Sequence, residues 1–128
     1  MAYDGPTAMY IDGEWVARGE NGTAPLTAPF DGRTLAVVPV GGSTDVDRAV
    51  RAAREAQEKV WGRMPGSERA KYLFRIARII QERARELAVL ETLDNGKPIR
   101  ESRDVDLPLV AAHFFYYAGW ADKLAHAG

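Results

Sequence analysis

The spacing of apolar residues changes at Gly41-Gly42, and this change constrains the fold more than any other feature. Before it, "MYIDGEWV" predicts a β-hairpin around Asp12-Gly13, because both central residues of a type I′ turn need positive φ. Two further extended segments flank a turn over Pro29–Gly32. After it, the apolar period becomes that of an α-helix. The sequence therefore predicts short strands over residues 1–42 and helices over residues 43–128.

The first predicted helix begins with a polar cap. Thr44 is a good N-cap residue, and Asp47 three positions later completes a variant of the capping box. The apolar stripe that follows predicts a helix from Asp45 to about Lys59. Trp61 and the "GRMPG" sequence after it should end this helix.

Two more helices are expected in the second half of the chain. Ser67 is predicted to cap a long helix that stops at Asn95-Gly96, where glycine can take the left-handed conformation. Its length favours a break near Arg83–Glu86. A last helix is expected to start near Asp106, with Pro108 tolerated in its first turn.

The composition excludes several classes of function. The 128 residues suit one domain, and 17 Lys and Arg against 18 Asp and Glu favour neither a nucleic acid nor an anionic membrane as partner. The absence of cysteine excludes disulfides and thiolate catalysis within this chain. The first ten residues lack a basic start followed by an apolar run, so we expect no signal peptide and a cytoplasmic location.

Local motifs offer little catalytic chemistry. His113 and His126 have no partner at metal-ligand spacing. Asp104 and Asp106 would point away from each other on a helix, so an N-cap and a solvated charge explain them better than acid–base catalysis. We therefore assign no catalytic and no cofactor-binding residue.

The stretch "FFYYAGW" near the end of the chain has three interpretations. Core burial is favoured, because Phe114, Tyr117 and Ala118 would share one helical face while Phe115 faces another way. A stacking platform for nucleic acid needs basic residues among the rings, and Lys123 is the only nearby cation. The third interpretation is that segments outside this chain cover the rings.

Several motifs occur together in a known order. Five motifs resemble, in register, those of the NAD(P)-dependent aldehyde dehydrogenases: "MYIDGEWV", "PFDG", "TDVDRAVRAAREAQEKVW", "LETLDNGKP" and "YYAGWADK". The resemblance runs from about Met9 to the end of the chain. It implies that the rings of "FFYYAGWADK" are buried by segments that this chain does not contain. Ala28-Pro29 departs from the Asn-Pro that is usual in the family, at little cost because the proline fixes the turn.

The resemblance implies an α/β aldehyde dehydrogenase-like fold, of which residues 1–128 form an incomplete N-terminal portion. This portion is expected to be mostly α-helical, with an N-terminal β-hairpin and short strands. The implied reaction oxidises aldehydes to acids with NAD or NADP, through a cysteine thiolate that this chain lacks. The chain alone is therefore expected to be inactive and to bind no cofactor.

Two sites are implied by position in the family. Val105 and Leu109 match residues that line the substrate tunnel, and their spacing of four would place them on one helical face; core packing is the alternative. The Thr27 carbonyl and Asp94 match ligands of a monovalent cation, for which oxygen donors are suited. Asp94 is equally compatible with an ordinary surface position on a helix.

Two alternatives remain to the interpretation of this chain as the N-terminal part of an enzyme. The chain could be a non-catalytic regulatory fragment that docks on a complementary chain or on a full-length homologous subunit, since exposed apolar patches mark such surfaces. It could also be an independent helical domain that pairs with itself through the aromatic helix. The expected partner is the remainder of the aldehyde dehydrogenase fold or a homologous subunit.

Overall fold

The structure, a computed structural model, describes residues 7–124 and divides into two compact units, Met1–Arg63 and Met64–Gly128. In the described part of the chain, the strands and the first helix belong to the first unit, and the other helices belong to the second. The predicted fold class, mostly helical with an N-terminal β-hairpin and short strands, is confirmed. The assignment of residues 1–128 to one incomplete domain stays a prediction.

The first unit opens with the predicted hairpin. Strand β1 (Met9–Ile11) pairs antiparallel with β2 (Glu14–Val16). Asp12 and Gly13 both have positive φ, at 54° and 82°, as the tight turn requires. The rings of the cross-strand partners Tyr10 and Trp15 lie 5.0 Å apart, which adds a stabilising aromatic pair on one face of the hairpin.

A second hairpin joins β3 (Thr23–Thr27) to β4 (Thr34–Pro39), with an irregularity between Leu26 and Thr27. The predicted turn between the two strands is confirmed. The Gly32 N–H donates to the Ala28 carbonyl at 2.9 Å, and Gly32 has a φ of 71° that favours glycine. The two hairpins form separate two-stranded sheets.

Helix α1 (Ser43–Lys59) ends in a 3-10 turn over Trp61–Arg63, so the predicted stop is confirmed. The predicted start is wrong in detail. The N-cap residue is Gly42 rather than Thr44, and Asp47 takes no part in a capping box. Glycine carries no capping side chain, so carboxylates of other residues accept hydrogen bonds from N–H groups at the helix start.

Two carboxylates satisfy the free N–H groups at the start of α1. The Asp45 carboxylate accepts hydrogen bonds from the Glu20 N–H at 2.7 Å and the Gly42 N–H at 3.1 Å. Glu20 in turn accepts from the Thr44 N–H at 2.9 Å and the Thr44 hydroxyl at 3.1 Å. The Glu20 and Gly42 N–H groups hold the pKa of Asp45 below its usual range. Negative charge here also complements the helix dipole.

The second unit begins with two helices in line, α2 (Gly66–Glu82) and α3 (Ala84–Asn95). The break falls at Arg83, whose φ of −102° and ψ of 13° leave the helical region, so the predicted interruption is confirmed. Gly96 follows with a φ of 79°, and its N–H donates to the Thr92 carbonyl at 3.0 Å. The predicted stop at Asn95-Gly96 is therefore confirmed.

The predicted N-cap at Ser67 is wrong. The N-cap is Pro65, two residues earlier, and helix α2 begins at Gly66 without a side-chain cap. The Pro65 carbonyl accepts hydrogen bonds from the N–H groups of Glu68 and Arg69 at 3.0 and 3.1 Å. Proline before a helix fits this role because its fixed φ suits the entry into the first turn.

The last helix begins earlier than the sequence predicts. A short helix α4 (Ile99–Glu101) leads into a π-helical turn over Ser102–Asp106, which continues directly into α5 (Leu107–Trp120). The expectation that Pro108 sits in the first turn of α5 is confirmed. No sign of this earlier start is visible in the sequence, because the N-cap residue of α4 is Pro98, which has no capping side chain.

Small residues let α2 and α5 approach closely. The phenylalanine rings of Phe74 and Phe115 lie 6.0 Å apart beside this contact. A Cβ atom added to Gly66 would lie 2.2 Å from the carbonyl oxygen of Ala121, so the backbones nearly touch. The buried side chains of the two helices are mostly alanines, at Ala70, Ala77, Ala111 and Ala118, together with Leu107. Within residues 7–124, no helix is both long enough and apolar enough to span a membrane.

Substitution of Gly66 by alanine should destabilise the chain by about 1–3 kcal/mol, because the new methyl group meets backbone atoms that must move. Gly119→Ala is the matched control: no atom lies within 4 Å of its added Cβ, and the change should stabilise α5 by about 0.5–1 kcal/mol. Urea unfolding followed by circular dichroism measures both. Equal stability of the two variants would contradict the close approach of α2 and Ala121.

The Asp45→Asn variant should have a lower melting temperature than the parent at neutral pH, because the lowered pKa of Asp45 reflects its bonds to two N–H groups. A carboxylate with a depressed folded pKa stabilises the fold above its unfolded pKa, about 3.9, and that contribution disappears as pH falls through the folded pKa. The difference in melting temperature should therefore shrink below about pH 4. A difference that stays constant down to about pH 2 would contradict this assignment.

Candidate functional site

The residues matched to the substrate tunnel lie on either side of the junction between the π turn and α5. Val105 belongs to the π turn and Leu109 to α5. Their exposed fractions are 56% and 53%, so neither is packed into the core of the described chain. Core packing, the alternative interpretation, is therefore not observed within residues 7–124. A role in the tunnel stays a prediction.

The π turn changes how these two side chains are related. Its closing hydrogen bond runs from the Leu107 N–H to the Ser102 carbonyl, five residues back instead of four. The spacing rule that places residues four apart on one face holds for an α-helix only. The direction of Val105 relative to Leu109 is therefore set by the π turn.

A buried hydroxyl pair fixes the start of the π turn. The side chain of Ser102 is fully buried, and its Oγ lies 3.1 Å from the Oγ1 of Thr92 on α3. Either hydroxyl can donate. A buried polar group without a partner would be costly, so this hydrogen bond ties the turn to α3.

An ion cluster fixes the end of the π turn. The ammonium group of Lys97 bonds to the carboxylate of Asp106 and lies 3.6 Å from that of Glu91, and all three side chains are half-buried. The bond to Asp106, with the charge of Glu91, raises the pKa of Lys97. Because Glu91 lies on α3 and Lys97 in the following loop, the cluster joins three consecutive segments of the second unit.

The two aspartates of this segment do not form an acid–base pair. Asp104 accepts from the Arg103 guanidinium at 2.6 and 2.8 Å, and this contact lowers its pKa. Asp106 occupies the N-cap position of α5 but makes no capping hydrogen bond there, since it pairs with Lys97. Asp106 therefore holds the predicted N-cap position without a capping hydrogen bond, and Asp104 is an exposed charge as predicted.

The aromatic residues of α5 divide into two sets. Phe114 and Phe115 are half-buried, whereas Tyr117 and Trp120 are exposed by 60% and 41%. Tyr116 lies 5.2 Å from Tyr117 and 6.3 Å from Trp120, ring centre to ring centre. Core burial within this chain, the favoured interpretation of the sequence, is therefore wrong for the tyrosines and the tryptophan.

An open groove of about 410 Å³ runs along this exposed face of α5. The His113 ring lies in it, with Nδ1 2.9 Å from the Leu109 carbonyl oxygen, which makes Nδ1 the protonated nitrogen. The groove is lined by Leu109, Ala112, His113, Tyr116 and Tyr117. His126, the other histidine, lies outside the described residues.

The two residues matched to the cation site lie in different units, and the pairing stays a prediction. Thr27 ends strand β3, next to the irregularity after Leu26, and is exposed. Asp94 is exposed in the last turn of α3, where free carbonyl groups and the negative end of the helix dipole favour a cation. Carbonyl and carboxylate oxygens fit a hard cation. In residues 7–124, no cluster of three or more histidine, aspartate or glutamate side chains is placed to hold a metal ion.

The sequence did not reveal the ion cluster or the hydroxyl pair. Lys97 lies in the loop after Gly96, where helical periodicity gives no information about contacts. Ser102 and Thr92 are polar, and polar residues usually lie at the surface. The positive charge of Lys97 suggests a carboxylate partner further along the chain, but several acidic residues follow it and nothing in the sequence singles out Asp106.

The chain is similar to known proteins of one family. Residues 15–127 match the profile of the aldehyde dehydrogenase family. Aldehyde dehydrogenase family 2 member B4 of Arabidopsis thaliana, a mitochondrial protein, is 42% identical over 119 residues, which are 92% of this chain and 22% of that protein. The mitochondrial aldehyde dehydrogenase of Homo sapiens is 44% identical over 117 residues, covering 90% of this chain and 23% of that protein.

Solved structures agree with the sequence comparison. The aldehyde dehydrogenase of Bacillus cereus superposes with a TM-score of 0.87 at 39% identity, over 94% of this chain and 25% of that one. The chain therefore belongs to the aldehyde dehydrogenase family, and the resemblance inferred from its motifs is confirmed. It spans about a quarter of the length of the relatives it matches.

Proposed function

We propose that this chain is the N-terminal part of an enzyme that oxidises aldehydes to acids with NAD or NADP. The observation that carries the proposal is the family match over residues 15–127. Betaine aldehyde dehydrogenase of Staphylococcus aureus, 38% identical with a TM-score of 0.86, has been solved with NAD+. This supports NAD as the cofactor of the intact protein.

On this proposal, the chain does not catalyse the reaction by itself. The family mechanism needs a cysteine thiolate to attack the aldehyde, and the 128 residues contain no cysteine. The bound nicotinamide cofactor accepts the hydride. Its pocket and the nucleophile would come from sequence outside these residues, as the coverage of about a quarter of the relatives suggests. The cytoplasmic location expected from the sequence stays a prediction.

A chimera tests the proposal directly. The segment of the Bacillus cereus relative that matches residues 15–127 is replaced by this sequence, and NADH formation is followed with several aldehydes. We expect steady turnover by the chimera, because the conserved fold should seat this segment against the catalytic part. The 128-residue chain alone should give no NADH, since it lacks the nucleophile.

Two controls accompany the chimera. The relative without the replaced segment should be inactive, and so should the chimera after its catalytic cysteine is changed to alanine. A folded but inactive chimera would contradict the proposed function. Turnover by the 128-residue chain alone would contradict the assignment of the nucleophile to sequence outside it.

The predicted site residues enter the same proposal. Leu109 is exposed and apolar, as a residue lining a tunnel for an apolar aldehyde would be before the tunnel is completed. In the chimera, Leu109→Ala should raise KM for hexanal roughly tenfold and leave KM for acetaldehyde nearly unchanged.

Asp94→Asn tests the cation site. If Asp94 and the Thr27 carbonyl hold a monovalent cation, this variant should be stabilised less by K+, compared with choline, as measured by the melting temperature. An unchanged KM would exclude Leu109 from the tunnel, and an unchanged response to K+ would exclude Asp94 from the cation site.

The exposed rings of α5 favour a second candidate, a non-catalytic chain that docks on a complementary chain or a homologous subunit. Tyr117 and Trp120 remain exposed in the described chain, and exposed apolar patches mark interaction surfaces. This candidate differs from the first in that docking would regulate an enzyme that is already complete.

Tryptophan fluorescence distinguishes the docking outcomes. In a Trp15→Phe/Trp61→Phe variant, Trp120 is the one remaining indole. Its quenching by acrylamide should fall severalfold when the complementary part of the relative is added, because docking covers the ring. A variant that keeps only Trp15 is the matched control. Protection by a full-length subunit would favour the regulatory candidate, and protection that rises with the concentration of the chain alone would favour a homodimer. No protection in any mixture would exclude docking through α5.

A further inference from the structure

We propose that Lys97 is a positioning residue: its contacts with Asp106 and Glu91 hold the π turn and thereby fix the direction of Val105 relative to Leu109. The inference about position concerns the described chain alone. Its consequence for aldehyde selection rests on the proposed function, in which these two side chains line the substrate tunnel.

A π turn is rare and adds one residue to a turn of an α-helix, so contacts outside the turn can decide whether it forms. The i→i+5 bond from the Leu107 N–H to the Ser102 carbonyl replaces the i→i+4 bond to the Arg103 carbonyl that an α-helix would make. Return to the α register would rotate the chain before Ser102 by about one residue, or about 100°, relative to α5, and residues inside the turn by part of that angle. Val105 lies within the turn and Leu109 after it, so a return to the α register would change the angle between their directions.

The turn is held at both ends by contacts outside itself. At its start, the buried Ser102 hydroxyl bonds to Thr92 on α3. At its end, Asp106 bonds to Lys97, which also lies near Glu91 on α3. With its two ends fixed to α3 and the adjoining loop, the turn keeps the extra residue of the π register.

Loss of the Lys97 ammonium group would do more than remove one contact of the π turn. It stands between two half-buried carboxylates, Glu91 and Asp106, which repel each other when the ammonium group is removed. Arg103, the cation within the turn, does not replace it. Its guanidinium is engaged with its exposed neighbour Asp104, which lies in the same turn.

The Leu107 amide reports the π register directly. In the full 128-residue chain, Lys97→Met should speed hydrogen exchange at this amide about tenfold or move its through-hydrogen-bond coupling from the Ser102 to the Arg103 carbonyl. Exchange at the buried Ala77 amide on α2 should stay the same, which separates a local change from loss of the fold. Lys97→Arg should restore the parent behaviour, and Arg103→Met, the matched loss of charge within the turn, should preserve it. An unchanged Leu107 amide in Lys97→Met would overturn the proposal.

A double-mutant cycle protects this test from a variant that unfolds. Asp106→Asn should affect the Leu107 amide as Lys97→Met does, and the two changes together should add little, because they break one contact. Additive effects would show that the two residues act separately and would overturn the proposal. If Lys97→Met also loses protection from exchange at the Ala77 amide, that variant has lost its fold. The exchange rate of the Leu107 amide in Asp106→Asn, compared with the rate in Lys97→Arg, then tests the proposal.

The consequence for selectivity is measured in the chimera. Lys97→Met should change the ratio of kcat/KM for hexanal over acetaldehyde about fivefold or more, mainly through KM, and Lys97→Arg should restore it. An active chimera with an unchanged ratio would overturn the positioning role while leaving the proposed function intact. An inactive parent chimera would defeat the proposed function, and the Leu107 amide would then decide the positioning role alone.

Discussion

The close approach of α2 and α5 is the contact on which the second unit depends. Gly66 leaves no room for a Cβ atom beside the Ala121 carbonyl, and alanines fill most of the interface along the two helices. Small side chains bring the backbones together but bury little apolar surface, so the larger side chains at the margins stay partly exposed. The exposed rings of Tyr117 and Trp120 follow from this geometry, because α5 already uses its small-residue face against α2.

The features predicted correctly are those that local chemistry decides. Asp12-Gly13 and Asn95-Gly96 place glycine where the backbone needs positive φ, and no distant contact can change that requirement. The break at Arg83 follows from the length of an otherwise continuous helical pattern. Family motifs added the overall fold. They also singled out Val105 and Leu109, whose role in the substrate tunnel stays a prediction.

The features missed by the sequence depend on contacts between distant residues. Thr44 looked like a cap, yet its own N–H and hydroxyl are donors to Glu20, 24 residues earlier. The π turn has no sequence pattern of its own, because its stability comes from Thr92 and Lys97 on neighbouring segments. Burial of the α5 rings was overestimated because apolar character shows what a side chain favours and not which segment covers it.

The alanine-rich interior of the second unit also has a calorimetric consequence. Among the residues described up to Leu124, its buried apolar side chains are Ala70, Ala77, Ala88, Leu107, Ala111, Ala118 and Ala121, of which only Leu107 is large. The heat capacity increment of unfolding and the denaturant m-value both scale with the surface that unfolding exposes. For its chain length, this unit should therefore have a small increment and a shallow m-value.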